Sequence, residues 1–183
     1  MPVDEEPSNQ IVKRCEALTI PPIEGAAHGP IQHTIRGKIY NMDENRVGMK
    51  NLQVCFEEEK GFLCYDTPRG AKKLAFGMGK YTKESFPESY YPWHRLGCPA
   101  NWEYRCVNCG AWIQENILAI RTQGIDVFVG NLTIVLSFVG DDLTIYMFNP
   151  HNFSWMNFKA MLAEAAEHEK RIMGIIACQR CLF

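Results

Sequence analysis

Ile125-Asp126-Val127-Phe128-Val129-Gly130-Asn131-Leu132-Thr133-Ile134-Val135-Leu136-Ser137-Phe138-Val139-Gly140-Asp141-Asp142-Leu143-Thr144-Ile145-Tyr146-Met147-Phe148 is the most regular passage of the chain. Three apolar, β-branched runs, Ile125–Val129, Leu132–Val139 and Leu143–Phe148, are separated by Gly130-Asn131 and by Gly140-Asp141-Asp142. Short runs of that composition divided by turn residues predict a three-stranded antiparallel meander over 125–148. Downstream, Asn149-Pro150-His151-Asn152 breaks the sheet, and Ser154 is placed to cap a helix running to about Met173. Trp155, Phe158, Leu162, Ala165, Ile172 and Ile176 recur mostly three or four apart, as on one apolar helix face. Glu164, Glu167, Glu169, Lys170 and Arg171 fall largely away from it. The expected fold is therefore α+β: an antiparallel sheet packed by one long C-terminal helix.

Upstream the signals are shorter. Ile35, Gly37 and Ile39 alternate with polar residues, as do Leu52, Val54 and Phe56, and Phe62–Tyr65 is a third short candidate strand. Asp43-Glu44-Asn45 and Glu59-Lys60-Gly61 read as turns. Residues 66–103 are rich in aromatics and prolines and read as an irregular packed segment, while Ala111–Arg121 fits strand or helix. Residues 1–30, with five prolines, read as an extended N-terminal arm with a short helical turn near Ile11–Leu18; 31–183 is then one domain.

Two C-x-x-C pairs dominate the chemistry. Cys106 and Cys109 stand in Tyr104-Arg105-Cys106-Val107-Asn108-Cys109-Gly110, and Cys178 and Cys181 in Cys178-Gln179-Arg180-Cys181. Two such knuckles can supply four thiolates to one Zn2+ ion, a closed tetrahedral shell that is structural and leaves no position for water. The expected metal ligands are thus Cys106, Cys109, Cys178 and Cys181, joining the sheet to the end of the chain. A local rival is His94, Cys98, Cys106 and Cys109; the bland alternative is small core residues that never meet. Cys55 and Cys64 lie in alternating strands and read as packed.

Asn108-Cys109-Gly110-Ala111-Trp112-Ile113-Gln114-Glu115 resembles the Asn-Cys motif of the lecithin-retinol-acyltransferase-like and viral H-box/NC proteins. That resemblance implies a nucleophilic Cys109 opening a helix and paired with an upstream histidine. His33 is the candidate, with Thr34 where those proteins usually carry an aromatic residue. It makes a cysteine-dependent hydrolase or acyltransferase the alternative function. An aromatic, then C-x-x-C, strands, Asn149-Pro150-His151 and a second C-x-x-C resembles the zinc-held β-tent of yippee-like and cereblon thalidomide-binding domains, which implies a ligand or degron pocket. The strand expected after the second knuckle is missing here, and neither resemblance assigns the chain to a family.

A second alternative is RNA binding through 69–83. Arg69, Lys72, Lys73, Lys80 and Lys83 could meet phosphates while Phe76 and Tyr81 stack on bases; the plainer reading is a solvated loop. Glu57-Glu58-Glu59 reads as a solvated strand edge. The formal charge of −2 argues against a protein built mainly to grip nucleic acid. With 46% hydrophobic and 22% charged residues, the balance is globular. No apolar run reaches membrane-span length, and the acidic N-terminus lacks a signal-peptide pattern, so a cytoplasmic or nuclear location is expected. With no convincing catalytic set, the expected function is a non-enzymatic, zinc-stabilised protein-binding or regulatory protein. Its partner would be another protein, met through residues 86–102 or the N-terminal arm.

Overall fold

Alternation is the dominant pattern in the computed structural model, which describes residues 9–14, 20–45, 47–88, 104–125, 131–149 and 154–163. A helical stretch at 9–14 (α1) and a single turn Gln32–Ile35 (α2) precede ten strands. These are β1 Ile39–Met42, β2 Asn51–Glu57, β3 Lys60–Thr67, β4 Gly70–Met78 and β5 Thr82–Phe86, then β6 Tyr104–Gln114, β7 Ile117–Gly124, β8 Asn131–Val139, β9 Asp142–Asn149 and β10 Ser154–Leu162. Sequential neighbours pair antiparallel, except across the β4–β5 step, and β1 also pairs with β10. A short parallel contact, Gly77 with Cys109 and Met78 with Gly110, brings β4 against β6 and closes the sheet into a barrel. Closure removes the exposed sheet edges that an open meander would present.

Each strand sends alternate residues inward. On β2 these are Leu52, Val54 and Phe56; on β8 they are Leu132, Ile134, Leu136 and Phe138, all buried. The β4–β5 step is the weak seam. There Phe76, 0% exposed, is wedged between Gly61 and Gly110. A Cβ on Gly110 would lie 2.4 Å from its ring, and one on Gly61 2.3 Å, so both positions need glycine for close approach. Across the seam, Asn108 Nδ2 donates to the Ala75 carbonyl at 2.7 Å and Lys60 Nζ meets Glu84 Oε1 at 3.0 Å.

The chain segment before β1 closes one end. Ala26 and Trp112 exchange both backbone hydrogen bonds at 2.9 Å. Ala27, Ile31 and Ile35 pack against the core, and Gly29 lies so close beneath the Trp112 indole that a Cβ there would be 2.3 Å from Cδ2.

The expected α+β fold with a long C-terminal helix is therefore corrected to a β-barrel. The part of the expected helix that is described, Ser154–Leu162, is strand β10, antiparallel to both β9 and β1. Phe158 and Leu162 satisfy helical spacing and strand alternation equally, and two flanking ladders decide for strand. Residues 164–173 lie outside the described residues. The hairpin Leu132–Val139 with Leu143–Phe148 is present as β8–β9, whereas 126–129, the rest of the expected first meander strand, lie outside the description. The segment 66–103, read as irregular, contains strands β4 and β5, and the ambiguous Ala111–Arg121 is the β6–β7 hairpin.

Candidate functional site: the barrel interior

The barrel has two unlike ends. At the end capped by residues 26–35, aromatic rings fill the lumen. Trp112 lies 6.0 Å from Phe56 and 6.2 Å from Phe138, and Tyr40 is 5.9 Å from Phe138, all at tilted angles. Toward the other end the lumen opens into a cavity of about 300 Å³. Its walls are mainly apolar, with Leu63, Leu74, Phe86, Leu132, Ile134, Met147 and Met156 supplied by six of the ten strands. Its mouth is formed by the β1–β2 connection and the β3–β4 turn. The first is held by Asn45, whose Oδ1 accepts from Met49 N–H at 3.1 Å and whose Nδ2 donates to the Met49 carbonyl at 2.7 Å.

Charged side chains stand at the rim of the cavity. Tyr65 O–H donates to Glu88 Oε1 at 3.1 Å, and Lys72 Nζ stands 4.0 Å from Glu88 Oε2. Arg69 also lines the mouth. Deeper, on the inward face of β6 and β7, Asn108 and Thr122 stand opposite each other in register and are both 0% exposed. Asn108 Oδ1 and Thr122 Oγ1 have no hydrogen-bond partner, nor does Trp112 Nε1.

The described half of the expected zinc site is not arranged to hold a metal, and the zinc, metal-binding and zinc-finger readings are withdrawn. A C-x-x-C pair binds one ion across a tight turn, but Cys106 and Cys109 sit in the middle of the extended strand β6. Residues three apart on a strand point to opposite faces. Cys106 accordingly faces the lumen with Asn108, its Sγ donating to the Glu84 carbonyl at 3.4 Å, and Cys109 faces outward beneath the strap of residues around Ile23. Burial pushes the Cys106 thiol up to about 11 against a pull from the Asn108 side chain, and burial also raises Cys109. Both effects disfavour the thiolate a metal needs. Among the described residues no group of three or more His, Cys, Asp or Glu could hold a metal ion. Cys178, Cys181, His94 and Cys98 lie outside the described residues.

The two alternative functions fare no better. Cys109 opens no helix, its thiol is raised, and His33 is an exposed residue whose Nε2 lies 3.2 Å from Thr34 Oγ1. In 69–83, Phe76 is entirely buried and cannot stack on a base. Lys72 is paired with Glu88, Lys80 with Glu59, and Lys73 lies 3.7 Å above the Phe62 ring. The protein-partner reading is corrected as well. Of its two surfaces, 89–102 lies outside the described residues, and 20–30 of the arm is laid against the barrel, where Arg121 and Tyr81 both donate to the Pro21 carbonyl. No helix among the described residues is long and apolar enough to cross a membrane.

The fold and its cavity define a class, the closed up-and-down β-barrel with a lumen. No family model and no curated protein matches the sequence. Solved structures do. A fatty acid-binding protein in brain tissue of Drosophila melanogaster superposes with a TM-score of 0.50 at 13% identity, covering 70% of this chain and 99% of that one. The fatty-acid-binding protein isolated from Manduca sexta gives 0.49 at 14% identity over 69% and 98%. The Drosophila likeness shows a shared fold.

Sequence reasoning missed the cavity and the Asn108–Thr122 pair. Asn108 lies inside the C-x-x-C run, where it read as a spacer. Its inward position is visible only once β6 is known to alternate Tyr104, Cys106, Asn108, Gly110 and Trp112 toward the lumen.

Proposed function

We propose that this protein is a non-enzymatic binder of a small apolar molecule, held inside the barrel. The observation that carries the reading is the cavity of about 300 Å³, walled by apolar side chains while the opposite end of the same barrel is packed with aromatic rings. Pockets of this kind bury most of a ligand's surface and gain affinity from the apolar area removed from water. The Drosophila structure of the same fold is that of a fatty acid-binding protein, which supports a lipid-like ligand. The volume corresponds to about ten water-sized groups, so a medium-length chain or a small ring system fits better than a long unbranched one. The free thiols Cys55, Cys64, Cys106 and Cys109 accord with a reducing compartment, cytoplasm or nucleus.

Titration with the fluorescent apolar probe 1-anilinonaphthalene-8-sulfonate tests the reading, with Leu132→Trp as the comparison. Leu132 lines the cavity and is buried, so an indole there occupies the ligand's space. Wild type is expected to bind one probe per chain saturably, and the variant at least about tenfold more weakly, roughly 1.4 kcal/mol. Unsaturable binding, or equal binding by both proteins, would overturn it.

A further inference from the structure

We propose that Tyr65 and Glu88 form a hydrogen-bond acceptor site at the mouth of the cavity, which takes the uncharged hydroxyl head of a single-chain ligand. This deepens the reading of the cavity as the ligand site and rests on it.

The lumen is layered along the antiparallel pair β3–β4. Gly61 stands opposite the buried Phe76 in the deepest layer, Leu63 opposite Leu74 in the apolar middle, and Tyr65 opposite Lys72 nearest the mouth. The polar side chains of the cavity wall belong to this last layer or lie farther out: Asn45, Tyr65, Thr67, Arg69 and Glu88. Asn45 and Thr67 commit their side chains to the backbone of their own turns. Tyr65, on β3, and Glu88, just past the end of β5, both line the cavity and meet across it. Tyr65 O–H donates to Glu88 Oε1 at 3.1 Å, and the Glu88 side chain keeps 16% of its exposure, so it is open to approach. Glu88 Oε2 lies 4.0 Å from Lys72 Nζ, an ion-pair distance too long for a hydrogen bond. An apolar tail filling the Leu63–Leu74 layer therefore leaves its head beside Oε2.

The chemistry of the pair selects that head. An ionised carboxylate only accepts hydrogen bonds, and Tyr65 has turned its own proton toward it. The site thus recognises a donor. A carboxylate head offers no hydrogen and would bring a second negative charge against Glu88, whose nearest cation, Lys72, already faces it. Arg69 stands farther out, on the exposed β3–β4 turn. An ammonium head would compete with Lys72 for the same oxygens and add a further positive charge beside it. A hydroxyl donates to Oε2 and adds no charge, and a hydrogen bond to an ionised acceptor is roughly twice as strong as one between neutral groups. The ligand class is therefore a medium-length apolar alcohol, held tail inward.

Displacement of the uncharged fluorescent probe N-phenyl-1-naphthylamine by 1-decanol, decanoate and undecane tests this, in wild type and in Glu88→Gln. The substitution keeps the shape and one acceptor oxygen and removes the charge. Wild type is expected to bind 1-decanol at least about tenfold more tightly than either decanoate or undecane. Glu88→Gln is expected to tighten decanoate about tenfold, to weaken 1-decanol about threefold and to leave undecane unchanged. If decanoate binds wild type best, if 1-decanol binds it no better than undecane, or if all three ligands shift together in the variant, the acceptor site is overturned while the cavity reading stands. If none of the three displaces the probe from wild type, both fall.

Discussion

The two ends of the barrel are built from the same alternating strands and differ in what fills the lumen. At the capped end, Trp112, Phe56, Phe138 and Tyr40 meet ring against ring, and residues 26–35 press on them from outside. At the other, aliphatic and methionine side chains line open space, and the charged pair Lys72–Glu88 stands at the rim. Large rings that reach the barrel axis exclude a ligand; shorter side chains on the same pleat leave room for one. The difference teaches that stability and binding are separated along one axis. The aromatic end supplies burial and the aliphatic end gives some of it up. A substitution at the first should act on folding, and one at the second on ligand.

Trp112→Ala is the sharpest way to break that comparison. The indole is 3% exposed, and its removal leaves a large cavity against Phe56, Phe138 and Gly29. A loss of about 3–5 kcal/mol is expected for a buried aromatic truncated to alanine. Denaturant unfolding measures it; a loss below about 1 kcal/mol would show that the capped end is not the stabilising one.

The seam gives the next largest effect. Gly110→Ala places a methyl group 2.4 Å from the Phe76 ring, which has no exposed surface toward which to turn. Overpacking of this kind typically costs about 1–3 kcal/mol. Phe76→Leu introduced together with Gly110→Ala should recover part of the loss, because the shorter side chain frees the space. Additive losses in the double variant would show that the seam is held by something other than this contact.

How much of this was legible in the sequence depends on the length of the alternating run. Leu132–Val139 and Leu143–Phe148 alternate over eight and six residues around Gly140-Asp141-Asp142, and the hairpin could be read directly. β10 could not, since Trp155, Phe158 and Leu162 are spaced as on a helix. Only the inward series Met156, Phe158, Ala160 and Leu162, with ladders to β9 and β1, shows the strand. The C-x-x-C motif misled for a related reason. Its meaning depends on a turn between the cysteines, and the sequence Val107-Asn108 does not reveal that β6 runs straight through. The site was illegible because a lumen exists only after closure, and closure rests on the β1–β10 and β4–β6 pairings between distant parts of the chain.

The smallest expected effect lies midway between the two ends and is read by pH. Cys106 is wholly buried on the lumen face, and its thiol is raised from the ordinary 9.0 to about 11, first by burial and then by the nearby Glu84 carboxylate. In the unfolded chain the same thiol ionises near its ordinary value. Below that value both states hold the proton and the thiol's contribution to stability is fully present. Above it the unfolded chain gains a thiolate that the folded interior resists, so stability falls as pH rises from about 9 toward the folded value of about 11. Cys109, raised in the same direction under the strap, adds to the slope. Replacing Cys106 with Ala removes the ionisable group and should flatten the fall in denaturation midpoint between pH 8.5 and 10.5, at some cost in packing that is the same at every pH. An unchanged slope would mean that the lumen at Asn108 and Cys106 is wet enough to solvate a thiolate, and would move the boundary between the dry and the open half of the barrel toward Trp112.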